Sequence, residues 1–307
     1  MSASSGSATR IRFWGVRGSV PVPGPGTVRY GGNTACVEIR ADDELIILDA
    51  GSGIRELGLA LQKEFGTNPI RLSLLITHPH WDHIQGFPFF LPSYDDKNVI
   101  RIFGYNGVNS SLREILTGQM AAPFFPIALY DLPCKIQFES LDQMEFNIGR
   151  VRIVARQMNH PGVCLGYRVF TSKGSICYLP DHEPYESLRV HLSESSAISP
   201  EEMKRRALTE RAALIEFLRD ADVLIIDSQY TDEEYRSHVG WGHGSISTAV
   251  SQARDAHVRK LVLFHHDPRH DDEMIDRMVE SARGLAADSG DRLSIEAARE
   301  GAEITLG

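Results

Sequence analysis

Residues 71–83, Arg-Leu-Ser-Leu-Leu-Ile-Thr-His-Pro-His-Trp-Asp-His, decide the reading of this chain. Arg71–Thr77 is a short, nearly unbroken apolar run, the pattern of a buried strand. It passes directly into His78-Pro79-His80-Trp81-Asp82-His83, so four donor side chains sit on a loop at a strand's C-terminal end. Imidazole and carboxylate are ligands of borderline divalent metals. The spacing supplies two adjacent groups: one metal can take His78 and His80, and a second Asp82 and His83. A His-rich turn without function would have no reason to gather them.

Outward from this loop, the same arrangement recurs. Upstream, strands are predicted over Arg10–Trp14, Ala35–Arg40 and Glu44–Asp49, with a Gly- and Pro-rich loop over Val16–Tyr30. Asp49-Ala50-Gly51-Ser52-Gly53 then turns into a helix over Ile54–Phe65, where Ile54, Leu57, Leu61 and Phe65 recur at helical spacing. Downstream, Val99–Phe103, Val151–Ala155, Cys164–Phe170 and Ser175–Leu179 read as strands, the last meeting Pro180-Asp181-His182-Glu183. Leu208, Ala212, Ile215 and Leu218 mark a helix in Glu201–Asp220. Strand Asp222–Asp227, helix Ser245–Ala256, strand Lys260–His265 and helix Asp271–Leu285 follow. This order predicts a disordered leader over residues 1–9 and a single domain over 10–307, two β-rich halves packed sheet on sheet with helices outside.

The motif His78-x-His80-x-Asp82-His83 resembles the signature of the metallo-β-lactamase superfamily. Asp49 in LDAGSG resembles the family's early Asp, His160 in MNHPG its third histidine, Asp181 in YLPDHE its bridging carboxylate and His265 in LVLFHHDP its last ligand. Gly31-Gly32-Asn33-Thr34, the stretch DVLIIDSQY and Gly242-His243-Gly244-Ser245 are similar to the phosphodiesterase branch, which includes ribonuclease Z and the phosphoribosyl cyclic phosphodiesterases. The resemblance implies an α/β four-layer αββα sandwich. It further implies one divalent ion held by His78, His80 and His160, a second by Asp82, His83 and His265, and Asp181 touching both. Zinc leads; manganese or iron stays open because no Cys ligand intervenes. His265 is chosen over His266 because it ends a strand at the sheet edge, whereas the next side chain points the other way.

Two metals suit hydrolysis because they bring the pKa of a water near neutrality and offset charge on a phosphorane-like or tetrahedral centre. The catalytic residues expected are Asp82, also a ligand, and His243, as proton donor to a leaving alkoxide and as phosphate contact. Asp49 is expected to orient a ligating imidazole through its second nitrogen, and Asp227 either does likewise or only ends a strand. Gln119–Pro133, with Phe124, Phe125 and Tyr130, reads either as a base-stacking lid or as a flap over core or a dimer interface. Specificity is assigned to that segment and to Glu183–Pro200. His182, Glu183, Arg269 and Asp271 either tune the ligands or are solvated surface.

The composition, 42% hydrophobic and 24% charged, is that of a folded globular chain. No apolar run approaches the ~18 residues of a membrane span, and the N-terminus lacks a signal-peptide core, so no membrane partner and a cytoplasmic location are expected. Cys36, Cys134, Cys164 and Cys177 form no Cys-x-x-Cys pair and read as buried thiols. The formal charge of −9 is opposite in sign to a basic nucleic-acid footprint. The expected substrate is therefore a small anionic phosphodiester, a cyclic nucleotide or cyclic phosphate, with long nucleic acid unlikely as a partner and room left for a homodimer. The alternatives are a tRNA 3′-processing endonuclease, a β-lactam or thioester hydrolase, and a non-catalytic metal-binding module. A thiol- or oxygen-reducing diiron enzyme is a further alternative, although the additional domain that flavoprotein partners usually leave is hardly accommodated in 307 residues.

Overall fold

The apolar runs become sheet strands in the computed structural model, which describes residues 8–105, 110–141, 143–187, 199–287 and 293–307. Most of the expected leader, and residues 188–198 of the segment given a specificity role, lie outside the described residues. The chain divides into two compact units. The first comprises Met1–Ile153, Thr171–Lys173 and Arg299–Gly307; the second comprises Val154–Phe170 and Gly174–Ala298.

In the first unit, strands β1 (Thr9–Gly15), β2 (Cys36–Ala41), β3 (Glu44–Leu48), β4 (Arg71–Leu75), β5 (Val99–Gly104), β6 (Lys135–Ser140) and β14 (Glu303–Leu306) form one sheet, ordered β14-β1-β2-β3-β4-β5-β6. Its β3, β4, β5 and β6 run parallel. Helix α1 (Ile54–Phe65) buries Ile54, Leu57 and Leu61 against Ile47, Leu72 and Leu74 of the sheet. The 3.6-residue repeat read from the sequence is thus the face that packs.

A second seven-stranded sheet follows the order β13-β12-β11-β10-β9-β8-β7. Its strands are β7 (Glu145–Ile148), β8 (Val151–Gln157), β9 (Leu165–Thr171), β10 (Gly174–Leu179), β11 (Val223–Asp227), β12 (Lys260–Phe264) and β13 (Ser294–Ala297). The ladder from β10 to β13 is parallel, and all five residues of β11 are buried, as expected of a strand covered on both faces. The long helix Pro200–Leu218 and the helices Ile246–Asp255 and Asp272–Ala287 contribute Leu214, Leu218, Ala249, Ala253, Val279 and Ala282 to the core around Leu224, Ile226 and Leu261. Replacing fully buried Leu224 by Ala is expected to lower unfolding stability by about 2–5 kcal/mol in a denaturant titration.

Several elements differ from the expectation. The buried stripe of the long helix is Ala207, Leu214, Ile215 and Leu218; Leu208 and Ala212 are exposed. Leu208 and Ala207 are neighbours on the helix, so an apolar count alone could not settle which faced inward. This helix starts at Pro200, whose missing N–H suits the first turn, with Ser199 capping the Glu202 N–H. Strands β6, β7, β13 and β14 escaped the sequence reading because they are short and partly exposed, without a clean alternation. In the Gln119–Pro133 segment, Met120, Leu129 and Leu132 join the core of the first unit, while Phe124 and Tyr130 stand 80% and 82% exposed. All four cysteines are buried free thiols, and burial pushes Cys177 up to about 12.

Candidate metal centre

Parallel neighbouring strands end at the same rim of a sheet, and ligands collect there. In the first unit, β3 and β4 are in register with Leu48 beside Leu75, so Asp49 and the Thr77–His83 loop emerge together. Asp49 adopts φ +60°, a left-handed conformation that Asp tolerates better than most residues. That turn aims its carboxylate at the loop, where it accepts the Thr77 N–H at 2.8 Å, the Thr77 hydroxyl at 2.9 Å and His83 Nδ1–H at 2.8 Å. Thr77 Oγ1 also lies 3.1 Å from His78 Nδ1. The His78 ring stands 4.3 Å from those of His80 and His83, centroid to centroid. Asp82 accepts the backbone N–H of Ser19 at 2.7 Å and sits 3.3 Å from His83 Nε2. His78, Asp82 and His83 are buried and His80 is exposed.

The second unit repeats the device. Asp181 follows β10, Asp227 ends β11 and His265 follows β12, on three parallel strands whose register sets Asp227 beside Phe264. His265 also takes a left-handed φ of +61°. Its Nε2 lies 3.2 Å from one oxygen of buried Asp181, and His160 Nε2 lies 3.6 Å from the other. His266 turns away and bonds the Ala298 carbonyl at 3.0 Å. His243 donates from Nδ1 to Asp227 at 2.8 Å and stacks on His265 at a centroid distance of 5.0 Å. Asp227 further accepts the backbone N–H groups of Gln229 and His182. Burial pushes the Asp227 carboxyl up from its ordinary value, and the adjacent His243 imidazole works against that rise. Asp181, His243 and His265 present ligand atoms within 4.8 Å of one another.

The donor chemistry fits divalent ions. The acceptor beside each buried imidazole fixes which nitrogen carries the proton. The Asp49 carboxylate and the Gly242 carbonyl, 2.8 Å from His160 Nδ1, can only accept, so both rings are protonated at Nδ1. For His265 the partner is Gln229 Oε1 at 3.0 Å, and Gln229 is turned that way because its amide NH₂ faces the Asp267 carboxylate. In each case Nε2 carries the lone pair a metal requires. Thr77, Gln229 and Gly242 lie within stretches quoted from the sequence, but no individual role was read for any of them. They lie beside a ligand or tens of residues away, so only their directions in space reveal them. Glu183 was read as solvated or tuning; it is fully buried. His182 is buried too, its pKa pushed down to about 3 by loss of water, and so stays neutral. Arg269 pairs with Asp267, and Asp271 accepts the Met274 N–H. Asp49→Ala, which frees the His83 ring, is expected to weaken metal affinity about 10- to 100-fold in a competitive chelator titration.

Among the described residues no helix is long and apolar enough to cross a membrane. The β-lactamase superfamily domain model matches residues 45–199, just over half of the chain. Ribonuclease Z of Natronomonas pharaonis is 25% identical, covering 93% of this chain and 97% of that protein. Ribonuclease Z of Thermoplasma acidophilum is 27% identical, covering 90% and 92%. The metallo-beta-lactamase fold protein YhfI from Bacillus subtilis superposes with a TM-score of 0.65 at 17% identity, covering 97% of this chain and 99% of that one. The expectation that a long nucleic acid is an unlikely partner is overturned by these ribonuclease relatives, which span nearly the whole chain. Its physical weakness was to treat net charge as a footprint: phosphates meet a local surface, and a total of −9 does not describe any one face. The α/β metallo-β-lactamase fold expected from the sequence is the fold of this chain, its His and Asp clusters carry the donors of divalent metal ions, and the chain belongs to the β-lactamase superfamily as a metal-dependent hydrolase.

Proposed function

We propose that the two donor sets serve one dinuclear centre, within a single catalytic domain over residues 10–307, and that the enzyme hydrolyses phosphodiesters in the cytoplasm. One ion is assigned to His78, His80 and His160, the other to Asp82, His83 and His265, with Asp181 shared. Zinc is the metal assigned, since imidazole and carboxylate are among its usual ligands; manganese or iron is the alternative because no thiolate intervenes. When bound, such a pair lowers the pKa of water toward neutrality and offsets the charge that builds on phosphorus. The chain's own residues do the rest. Asp82, held by the Ser19 amide, keeps its carboxylate beside His83. His243, steered by Asp227, delivers a proton to the departing alkoxide.

The observation that carries this reading is the buried Asp227–His243 pair, which stands 3.9 Å from the Asp181 carboxylate. Proton delivery at a ligand's side is what an alkoxide leaving group demands, whereas a non-catalytic metal module has no use for it. The substrate follows the relatives: an RNA, with tRNA 3′ processing the leading assignment. Cyclic nucleotides form the second arm of the test. Metal-loaded protein should be offered precursor tRNA, bis-p-nitrophenyl phosphate, 2′,3′- and 3′,5′-cyclic nucleotides, and nitrocefin. Cleavage of phosphodiesters and none of nitrocefin is expected, with precursor tRNA cut at its 3′ side. Turnover of cyclic nucleotides alone would move the substrate to the small diesters, and fully loaded protein that hydrolyses no phosphodiester would overturn the enzymatic reading.

A further inference from the structure

We infer that Glu183 is a positioning residue that sets both His243 and His160 by clamping the loop between them. Its side chain is fully buried in the second unit. One oxygen accepts the Gly240 N–H at 2.7 Å and the Tyr235 hydroxyl at 2.9 Å, and the other accepts the Gly242 N–H at 2.9 Å. A buried carboxylate is costly unless hydrogen-bonded, and three donors converging on it make the arrangement rigid.

The consequences run in two directions from Gly242. Its carbonyl accepts His160 Nδ1–H, so the clamp fixes the ring that presents Nε2 toward Asp181. The next residue is His243, whose Nδ1 must reach Asp227. Gly242 sits at φ +90°, and a Cβ there would lie 2.4 Å from His160 Nδ1, so loop and ring are in contact with no slack. On its other side, Glu183 exchanges hydrogen bonds with Asn159: the Glu183 N–H goes to the Asn159 carbonyl at 2.8 Å, and the Asn159 amide to the Glu183 carbonyl at 3.1 Å. Segments 159–160, 181–183 and 240–243 are therefore tied through one residue. A glutamine at this position has a single accepting oxygen, and its NH₂ would face an N–H group donor to donor.

The inference rests on the phosphodiesterase reading, and substrates that differ only in their need for a proton test it. p-Nitrophenolate leaves without protonation, whereas a nucleoside alkoxide requires it. In protein kept saturated by excess zinc, Glu183→Gln is expected to lower kcat about 10- to 100-fold on the alkoxide-leaving substrate, with KM little changed and with p-nitrophenyl turnover within about threefold of wild type. Equal losses on both substrates would mark Glu183 as merely structural and overturn the inference, as would wild-type rates on both. Ring ¹⁵N spectra supply a readout independent of turnover: the His243 and His160 signals should move in Glu183→Gln while that of His83, in the first unit, stays in place. Unmoved His243 and His160 signals would sink the clamp even if the wild type hydrolysed nothing, an outcome that by itself counts only against the phosphodiesterase reading. Should Glu183→Gln fail to fold, Tyr235→Phe carries both measurements, since it keeps the carboxylate and deletes a hydroxyl that donates to it. The same split at about threefold, with the same two rings shifted, is then expected, and its absence overturns the inference.

Discussion

Asp181→Ala is expected to strip the protein of metal and abolish hydrolysis. Its carboxylate is flanked by two candidate imidazole ligands, with His265 Nε2 at 3.2 Å from one oxygen and His160 Nε2 at 3.6 Å from the other. Loss of a group that merely orients a ligand costs about 10- to 100-fold in affinity; loss of a carboxylate proposed to bind both ions should exceed that. Elemental analysis should show metal falling well below the wild-type content, and no phosphodiester should turn over. Stability supplies a second reading. A metal present at 100 times its dissociation constant stabilises a folded protein by about 2.7 kcal/mol. Chelation should therefore lower the thermal midpoint of the wild type and leave that of Asp181→Ala unmoved. A variant that kept its metal would remove Asp181 from the centre.

His243→Ala should produce the opposite pairing: slow turnover with metal content intact. General acid catalysis is worth about 10²- to 10⁴-fold, so kcat should drop by that factor where the leaving group is an alkoxide, and by much less for p-nitrophenolate. Asp227→Asn should follow in the same direction with a smaller effect, since the ring stays but loses the carboxylate that holds its Nδ1 proton. His243 also lies near enough to Asp181 and His265 to offer a ligand atom. Joint loss of activity and metal in His243→Ala would mean that it binds an ion and that another group handles the proton.

Residues 71–83 carried the family and the type of chemistry because ligand identity is local: donors within six positions at a strand end need no tertiary context to be recognised. The more distant candidates, His160, Asp181 and His265, came from the family resemblance, supported by their order and strand-end positions, and the parallel register of β10, β11 and β12 puts the last two at one rim. Where periodicity was weak the reading failed. Leu208 was placed inside although it is 57% exposed, and the short strands Lys135–Ser140 and Glu303–Leu306 were missed. The charge argument failed differently, because a sum over the chain carries no direction.

By itself, the sequence determined the superfamily, the His and Asp donor types and the strand ends that bear them, since side-chain chemistry and hydrophobic period are written along the chain. Only the tertiary structure decided how each imidazole is turned. His160 takes its acceptor from Gly242, 82 residues away, His265 from Gln229, 36 away, and Glu183 grips Gly242 across 59. A hydrogen bond constrains direction as well as distance, and the direction of a side chain so far along the polymer exists only once the backbone between has been folded.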